Sequence, residues 1–328
     1  MIEIKNLVKR YDRNLAVDNI SFEVNDGEIM GFLGPNGAGK STTMNILTGY
    51  LSATEGQCLI NGVDILEHPI EAKSKIGFLP EIPPLYLEMT VLEYLNFVYD
   101  LKKCTLNRKK HIAEICEVIK ITDVANRLIG NLSKGYRQRV GIAQALIGNP
   151  EVLIFDEPTV GLDPMQIIEI RNLIRSLGKN HTVILSTHIL PEVQAVCDRI
   201  VVINKGRIVA NATSGELEKL IGGNDKFKLR VSGNAQEILA VLRAVEGIIK
   251  AEKLVEQTSE ADVSSFMIEL SGDTTEENAQ EIKKQVFYGL AKSGNMAIMS
   301  FEPVSASLED IFIKLVENGG KNTEGGNK

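Results

Sequence analysis

Gly34-Pro35-Asn36-Gly37-Ala38-Gly39-Lys40-Ser41 is the stretch that decides the fold. It has the spacing G-x-x-x-x-G-K-[ST] and lies between a strand-like run, Glu28–Leu33, and a helix-like run, Lys40–Leu47. Glycines let a backbone curl until several N–H groups point inward at phosphate oxygens. A helix that starts there adds its positive end. Lys40 would then balance charge on the β- and γ-phosphates, and the Ser41 hydroxyl would coordinate Mg²⁺. The spacing predicts a phosphate cradle.

Downstream, Val152-Leu153-Ile154-Phe155-Asp156-Glu157 places four apolar residues before two carboxylates. A buried strand has no use for charge, so the acids mark where it leaves a sheet. Ligands of open α/β sheets bind at such carboxyl ends. Asp156 can hold Mg²⁺ through oxygen, and Glu157 is left to act on a water as general base. Together the two elements specify a nucleoside triphosphatase.

Around them, short β-rich runs (Ile2–Val8, Ala16–Val24, Thr182–Leu185, Ile200–Ile203) alternate with helical patterns, as in a parallel α/β sheet. A helix-rich insert occupies about residues 82–147. Gly222-Gly223-Asn224-Asp225 reads as a linker. Beyond it the order is strand, helix, two strands, helix (Glu276–Lys292), strand (Met296–Phe301) and a closing helix from Ser307. That order fits a split βαβ, ferredoxin-like unit. The expected division is 1–222, 223–318 and a disordered tail, 319–328, which has no apolar residue.

Composition narrows the class. The chain has 328 residues, 44% hydrophobic and 24% charged, with net charge −7. Neither part carries the basic excess of a nucleic-acid binder. No apolar run is long enough to span a bilayer, and the start lacks a signal-peptide core. Four cysteines, Cys58, Cys104, Cys116 and Cys197, form no close pair and read as reduced thiols. One basic cluster, Lys102, Lys103, Arg108, Lys109 and Lys110, reads as a solvated helix face, or else as a contact for phosphates or lipid headgroups.

A third motif says which triphosphatase this is. Leu132-Ser133-Lys134-Gly135-Tyr136-Arg137-Gln138-Arg139 opens a helix that runs to about Ile147. With the other two, in this order, it makes residues 1–220 resemble the ATP-binding subunits of ABC transporters, whose signature is close to LSGGQ followed by QR. The resemblance implies a P-loop NTPase core carrying a helical subdomain, and ATP with Mg²⁺ as ligands. It implies nucleotide contacts from Tyr11, Gly34, Pro35, Asn36, Gly37, Ala38, Gly39, Lys40, Ser41, Thr42 and Glu81. Metal contacts fall to Ser41, Asp156 and Glu81, and catalysis to Glu157 and His188, the latter following Val183-Ile184-Leu185.

In that family two subunits close head to tail over two ATPs. Ser133, Gly135 and the Asp163 of Gly161-Leu162-Asp163 would therefore meet the partner subunit, in a homodimer or heterodimer. The chain departs from the pattern at two motifs. Glu81 replaces the usual glutamine, and Lys134 and Tyr136 replace glycine and glutamine. Glu81 and the closing Ser307–Phe312 segment resemble the type-2 exporters of drug, polysaccharide, sodium and gliding systems. The implied partners are transmembrane permease subunits, met near Ile82–Tyr86, at the cytoplasmic face of the cell membrane, where the chain would be peripheral. A soluble ABC ATPase of DNA or ribosomes and a regulatory ATP-binding module are the alternatives.

Overall fold

The computed structural model describes residues 1–213, 215–216, 226–254, 262–271, 276–292 and 296–303. They gather into two compact units, one within Met1–Ser214 and one within Gly215–Lys314. The expected linker at 222–225, the closing helix from Ser307 and the tail at 319–328 lie outside the described residues.

The first unit begins with strands β1 (Ile2–Tyr11), β2 (Asn14–Val24) and β3 (Ile29–Leu33), then helix α1 (Lys40–Leu47). Strands β4 (Glu55–Ile60) and β5 (Val63–Asp64), helix α2 (Pro69–Ser74) and strand β6 (Ile76–Leu79) follow. Helices α3 (Val91–Leu101), α4 (Arg108–Ile119) and α5 (Lys134–Leu146) form the insert. The chain returns through β7 (Val152–Asp156), α6 (Pro164–Leu177), β8 (Thr182–Thr187), α7 (Leu190–Val196), β9 (Arg199–Asn204) and β10 (Arg207–Ala212).

Two sheets result. One is antiparallel, ordered β2-β1-β4-β5; the other is ordered β10-β9-β3-β8-β7-β6. In the second sheet β9, β3, β8, β7 and β6 are parallel, and β10 pairs antiparallel at the edge. Every residue of β3, β7 and β8 is buried, which is why these strands are runs of apolar residues and not alternations. A single core cluster joins Ile2, Ile4, Val17 and Ile60 of the small sheet to Phe32, Ile154 and Ile184 of the large one, with Met44 and Leu47 of α1 between.

The strand order positions the site. Because β8 lies between β3 and β7, the carboxyl ends of these three strands are neighbours. The Gly34 loop, the Asp156–Glu157 pair and His188 leave from those three ends.

The basic cluster lies on the surface as expected, with Lys102, Lys103, Arg108, Lys109 and Lys110 all exposed, but the head group of Lys102 has partners of its own. Its Nζ donates to the carbonyls of Gln144 (3.3 Å), Ala145 (3.2 Å) and Ile147 (2.9 Å), capping the last turn of α5. The orphan carbonyls and negative end of that helix attract a cation. Arg108 likewise pairs with Asp100 and lies 4.6 Å over the Tyr99 ring.

The second unit consists of β11 (Lys226–Ser232), α8 (Ala235–Ala244), β12 (Ile248–Lys253), β13 (Val263–Leu270), α9 (Glu276–Lys292) and β14 (Ala297–Pro303). Its sheet is ordered β12-β13-β11-β14 and is antiparallel throughout. This is the ferredoxin-like order expected from the sequence. Phe227, Leu229, Phe266 and Ile268 of the sheet pack with Leu242 of α8 and Leu290 of α9.

Candidate functional site

The loop after β3 is held in shape by its own backbone. Ala38 N–H donates to the Pro35 carbonyl (3.1 Å), and Gly34 N–H donates to the Thr187 carbonyl (3.3 Å). Gly206 N–H, in the β9–β10 turn, donates to Ala38 O (2.9 Å). Gly39 caps α1 with φ 108°, and a Cβ there would stand 2.6 Å from the Ala16 carbonyl. Only glycine tolerates both the dihedral and the contact.

Lys40, buried at 6% exposure, folds back over the loop. Its Nζ donates to Gly34 O (2.9 Å) and lies 3.5 Å from Glu157 Oε1. Breaking such a buried pair from one side leaves an uncompensated charge, so each group holds the other in place.

Asp156 ends β7 and is 4% exposed. Burial pushes its carboxyl above the usual range, offset in part by the nearby hydroxyls of Ser186 and Ser41. Its Oδ1 has no hydrogen-bond partner among the described residues, nor has Ser186 Oγ. An orphaned buried carboxylate oxygen with serine hydroxyls beside it is a donor set suited to a hard divalent cation.

Glu157 turns out of the sheet with φ 49°. His188 Nδ1 is 2.9 Å from Glu157 Oε1 and 3.0 Å from Oε2. A carboxylate oxygen accepts, so Nδ1 is the donor in this contact. Thr187 Oγ1 stands 3.3 Å from Glu157 Oε2.

Tyr11, Lys40, Ser41, Glu81, Glu157 and His188 line one cavity of about 700 Å³. Asn36, Gly37, Gly39 and Thr42 line it too, whereas Gly34, Pro35 and Ala38 of the same loop do not. Sequence reasoning missed Asn14, Ala16 and Lys205 on the same walls. Lys205, at φ 47° in the β9–β10 turn, had a signal in Asn204-Lys205-Gly206, a turn sequence between two β-rich runs.

Ser133, Gly135 and Asp163 are absent from that cavity. They share a second depression of about 470 Å³ between α5 and α6. Ser133 caps α5, its hydroxyl accepting from Tyr136 N–H (3.4 Å), and Asp163 caps α6, accepting from Gln166 N–H (2.9 Å). The side chain of Lys134, in place of the usual glycine, packs on Gly161. Near the first cavity, Ile82 is 83% exposed, while Tyr86 packs edge-on against Phe97 of α3.

Residues 17–160 match the ABC transporter family. The linearmycin resistance ATP-binding protein LnrL of Bacillus subtilis is 32% identical over 96% of this chain and 98% of its own. The bacitracin transport ATP-binding protein BcrA of Bacillus licheniformis is 38% identical over 67% of this chain and 72% of its own. A bacterial ABC transporter cassette solved as a dimer superposes with a TM-score of 0.60 at 28% identity, covering 65% of this chain and 98% of that one. A match running nearly end to end with a transporter subunit disfavours the DNA, ribosome and purely regulatory alternatives. No helix among the described residues is long and apolar enough to cross a membrane. Relatives alike over nearly their whole length show that the chain belongs to the ABC transporter ATP-binding proteins, the ATP-hydrolysing subunits of those transporters.

Proposed function

We propose that this chain drives an exporter by binding ATP in the cavity at the β3, β8 and β7 strand ends and hydrolysing it with Glu157 as general base. The observation that carries the reading is the convergence there of Lys40, Glu157 and His188, with Glu157 held at 3.5 Å by the one and 2.9 Å by the other. Loop N–H groups and Lys40 bind the phosphates, and Tyr11 stacks on the adenine. Glu157 takes a proton from water as its oxygen forms a bond to the γ-phosphorus and the bond to the β–γ bridging oxygen breaks. ADP leaves, and the proton passes to the phosphate. His188, through Nδ1–H, keeps Glu157 aimed. Asp156, Ser41 and Glu81 are the residues that would hold Mg²⁺, and the orphaned Asp156 Oδ1 supports this. The ion supplies positive charge against the phosphates.

The second depression, with Ser133, Gly135 and Asp163, faces the nucleotide of a second subunit. Exposed Ile82 and its neighbours dock the permease, which places the chain as a peripheral subunit at the cytoplasmic face of the membrane. Relatives named for linearmycin resistance and bacitracin transport support export. Glu157→Gln is expected to cut turnover about a hundredfold or more while ATP still binds. Near-normal hydrolysis by that variant would remove Glu157 as the base. Gentle solubilisation of the tagged chain from host membranes should bring down a multi-spanning protein; soluble ribosomal or DNA-repair partners alone would end the transport reading.

A further inference from the structure

One buried carboxylate behind the site is not used by this mechanism. Glu192, in the first turn of α7, is 1% exposed. Both of its oxygens are taken by hydroxyls and not by a cation: Thr159 Oγ1 donates to Oε1, and Thr187 Oγ1 donates to Oε2 at 2.8 Å. Burying a carboxylate is costly, so the two bonds that keep it there are held firmly.

The places of these threonines matter. Thr159 is two residues past Glu157, whose left-handed backbone is strained for a side-chain-bearing residue. Thr187 immediately precedes His188, and its hydroxyl also accepts from Ile189 N–H at 3.1 Å, just after the histidine. One oxygen therefore pins the backbone on both sides of His188. A hydroxyl has a single proton, and Glu192 at 2.8 Å is a better acceptor for it than Glu157 at 3.3 Å. With that proton drawn away, Glu157 keeps its lone pairs for His188 and for water.

We propose that Glu192 is a positioning residue for ATP hydrolysis, a single carboxylate tying the segment after Glu157 to the strand end before His188. The inference rests on the roles given above to Glu157 and His188. Glu192 touches neither the phosphate loop nor Lys40 in these contacts, so its loss is read in turnover and not in nucleotide affinity.

The test uses the full chain, with steady-state hydrolysis of MgATP and binding of a fluorescent ATP analogue. Glu192→Ala is expected to lower kcat about tenfold or more, with KM and analogue affinity kept within about twofold. Thr187→Val should fall likewise, and Thr187→Ser, which restores the hydroxyl, should recover. Glu192→Gln keeps the volume and serves if alanine does not fold. It can accept only one hydroxyl, so kcat should fall about threefold or more. Placed on Glu157→Gln, Glu192→Ala should subtract little further from the residual rate, because groups acting as a unit are not additive. Wild-type turnover in Glu192→Gln, an equal loss on the Glu157→Gln background, or affinity falling in step with kcat would each overturn the proposal. If Glu157→Gln itself turned over normally, the base assignment would fail first. If only the Glu192 variants were normal, that assignment would stand and this inference alone would fall.

Discussion

Asp156→Asn should make the metal-free protein more stable while removing its response to Mg²⁺. Asp156 is 4% exposed, its Oδ1 has no partner among the described residues, and burial holds its carboxyl above the usual range. The charged form of this carboxyl is therefore disfavoured by its surroundings in the folded chain. Leaving a buried polar group unsatisfied costs about 1–3 kcal/mol. The neighbouring Ser186, Ser41 and Lys40 offset some of that, so about 1–2 kcal/mol is recoverable by a neutral amide. In a unit of this size each kcal/mol moves Tm by about 2–4 °C, which gives a rise of about 2–8 °C. The assay is thermal unfolding in EDTA, then with saturating MgADP. A ligand at a hundred times its Kd adds about 2.7 kcal/mol, so the wild type should overtake the variant once MgADP is present. That crossing is the signature of a residue kept for a cation and not for the fold. A variant that melts no higher than wild type in EDTA, or one that MgADP lifts equally, would refute the reasoning.

Three further outcomes are expected. Burial raises the Glu28 carboxyl, but hydrogen bonds from Arg199 and Asn25 outweigh it and hold the group below its usual range. Its folded pKa is then the lower one, so its stabilisation is present above the unfolded value and lost as pH falls through the folded one. Glu28→Gln should accordingly melt below wild type at pH 7 and converge with it in acid; a pH-independent gap would count against the pair. Lys102→Met removes a cation from three carbonyls at the end of α5 and should cost about 1–2 kcal/mol in urea unfolding. An unchanged midpoint would mean that the cap has no weight. Finally, two inactive variants, Glu157→Gln and Ser133→Arg, should complement on mixing. One of the two sites in a head-to-tail mixed dimer has both halves intact, so about a quarter of wild-type activity should return if the sites act independently. No recovery would mean that Ser133 serves its own chain's nucleotide.

What was legible in the sequence was local. The octet from Gly34 to Ser41 announces its loop because a glycine-permitted turn, a buried lysine and a helix start are all contained within it. The apolar runs of β7 and β8 show themselves because strands buried on both faces need no alternation. What stayed hidden depends on distant chain. In β4, Glu55, Gly56 and Gln57 are exposed, and Gly56 is required because a Cβ would meet the Asn6 carbonyl of β1 at 2.3 Å. That strand exists through its partner and not through its own pattern. That Lys102, on a solvated run, also caps a helix stayed hidden because the carbonyls it meets belong to a helix end more than forty positions later. The acidic pair shows the limit most clearly. The sequence suggested Asp156 as a metal ligand and Glu157 as a base, but not how two adjacent residues come to point into different surroundings. Asp156 keeps the extended geometry of β7 and stays inside the sheet, whereas Glu157 swings to φ 49° and leaves it toward Lys40 and His188. That one dihedral separates the two carboxylates into different surroundings, and the strain it stores is what Glu192, through Thr159, is placed to hold.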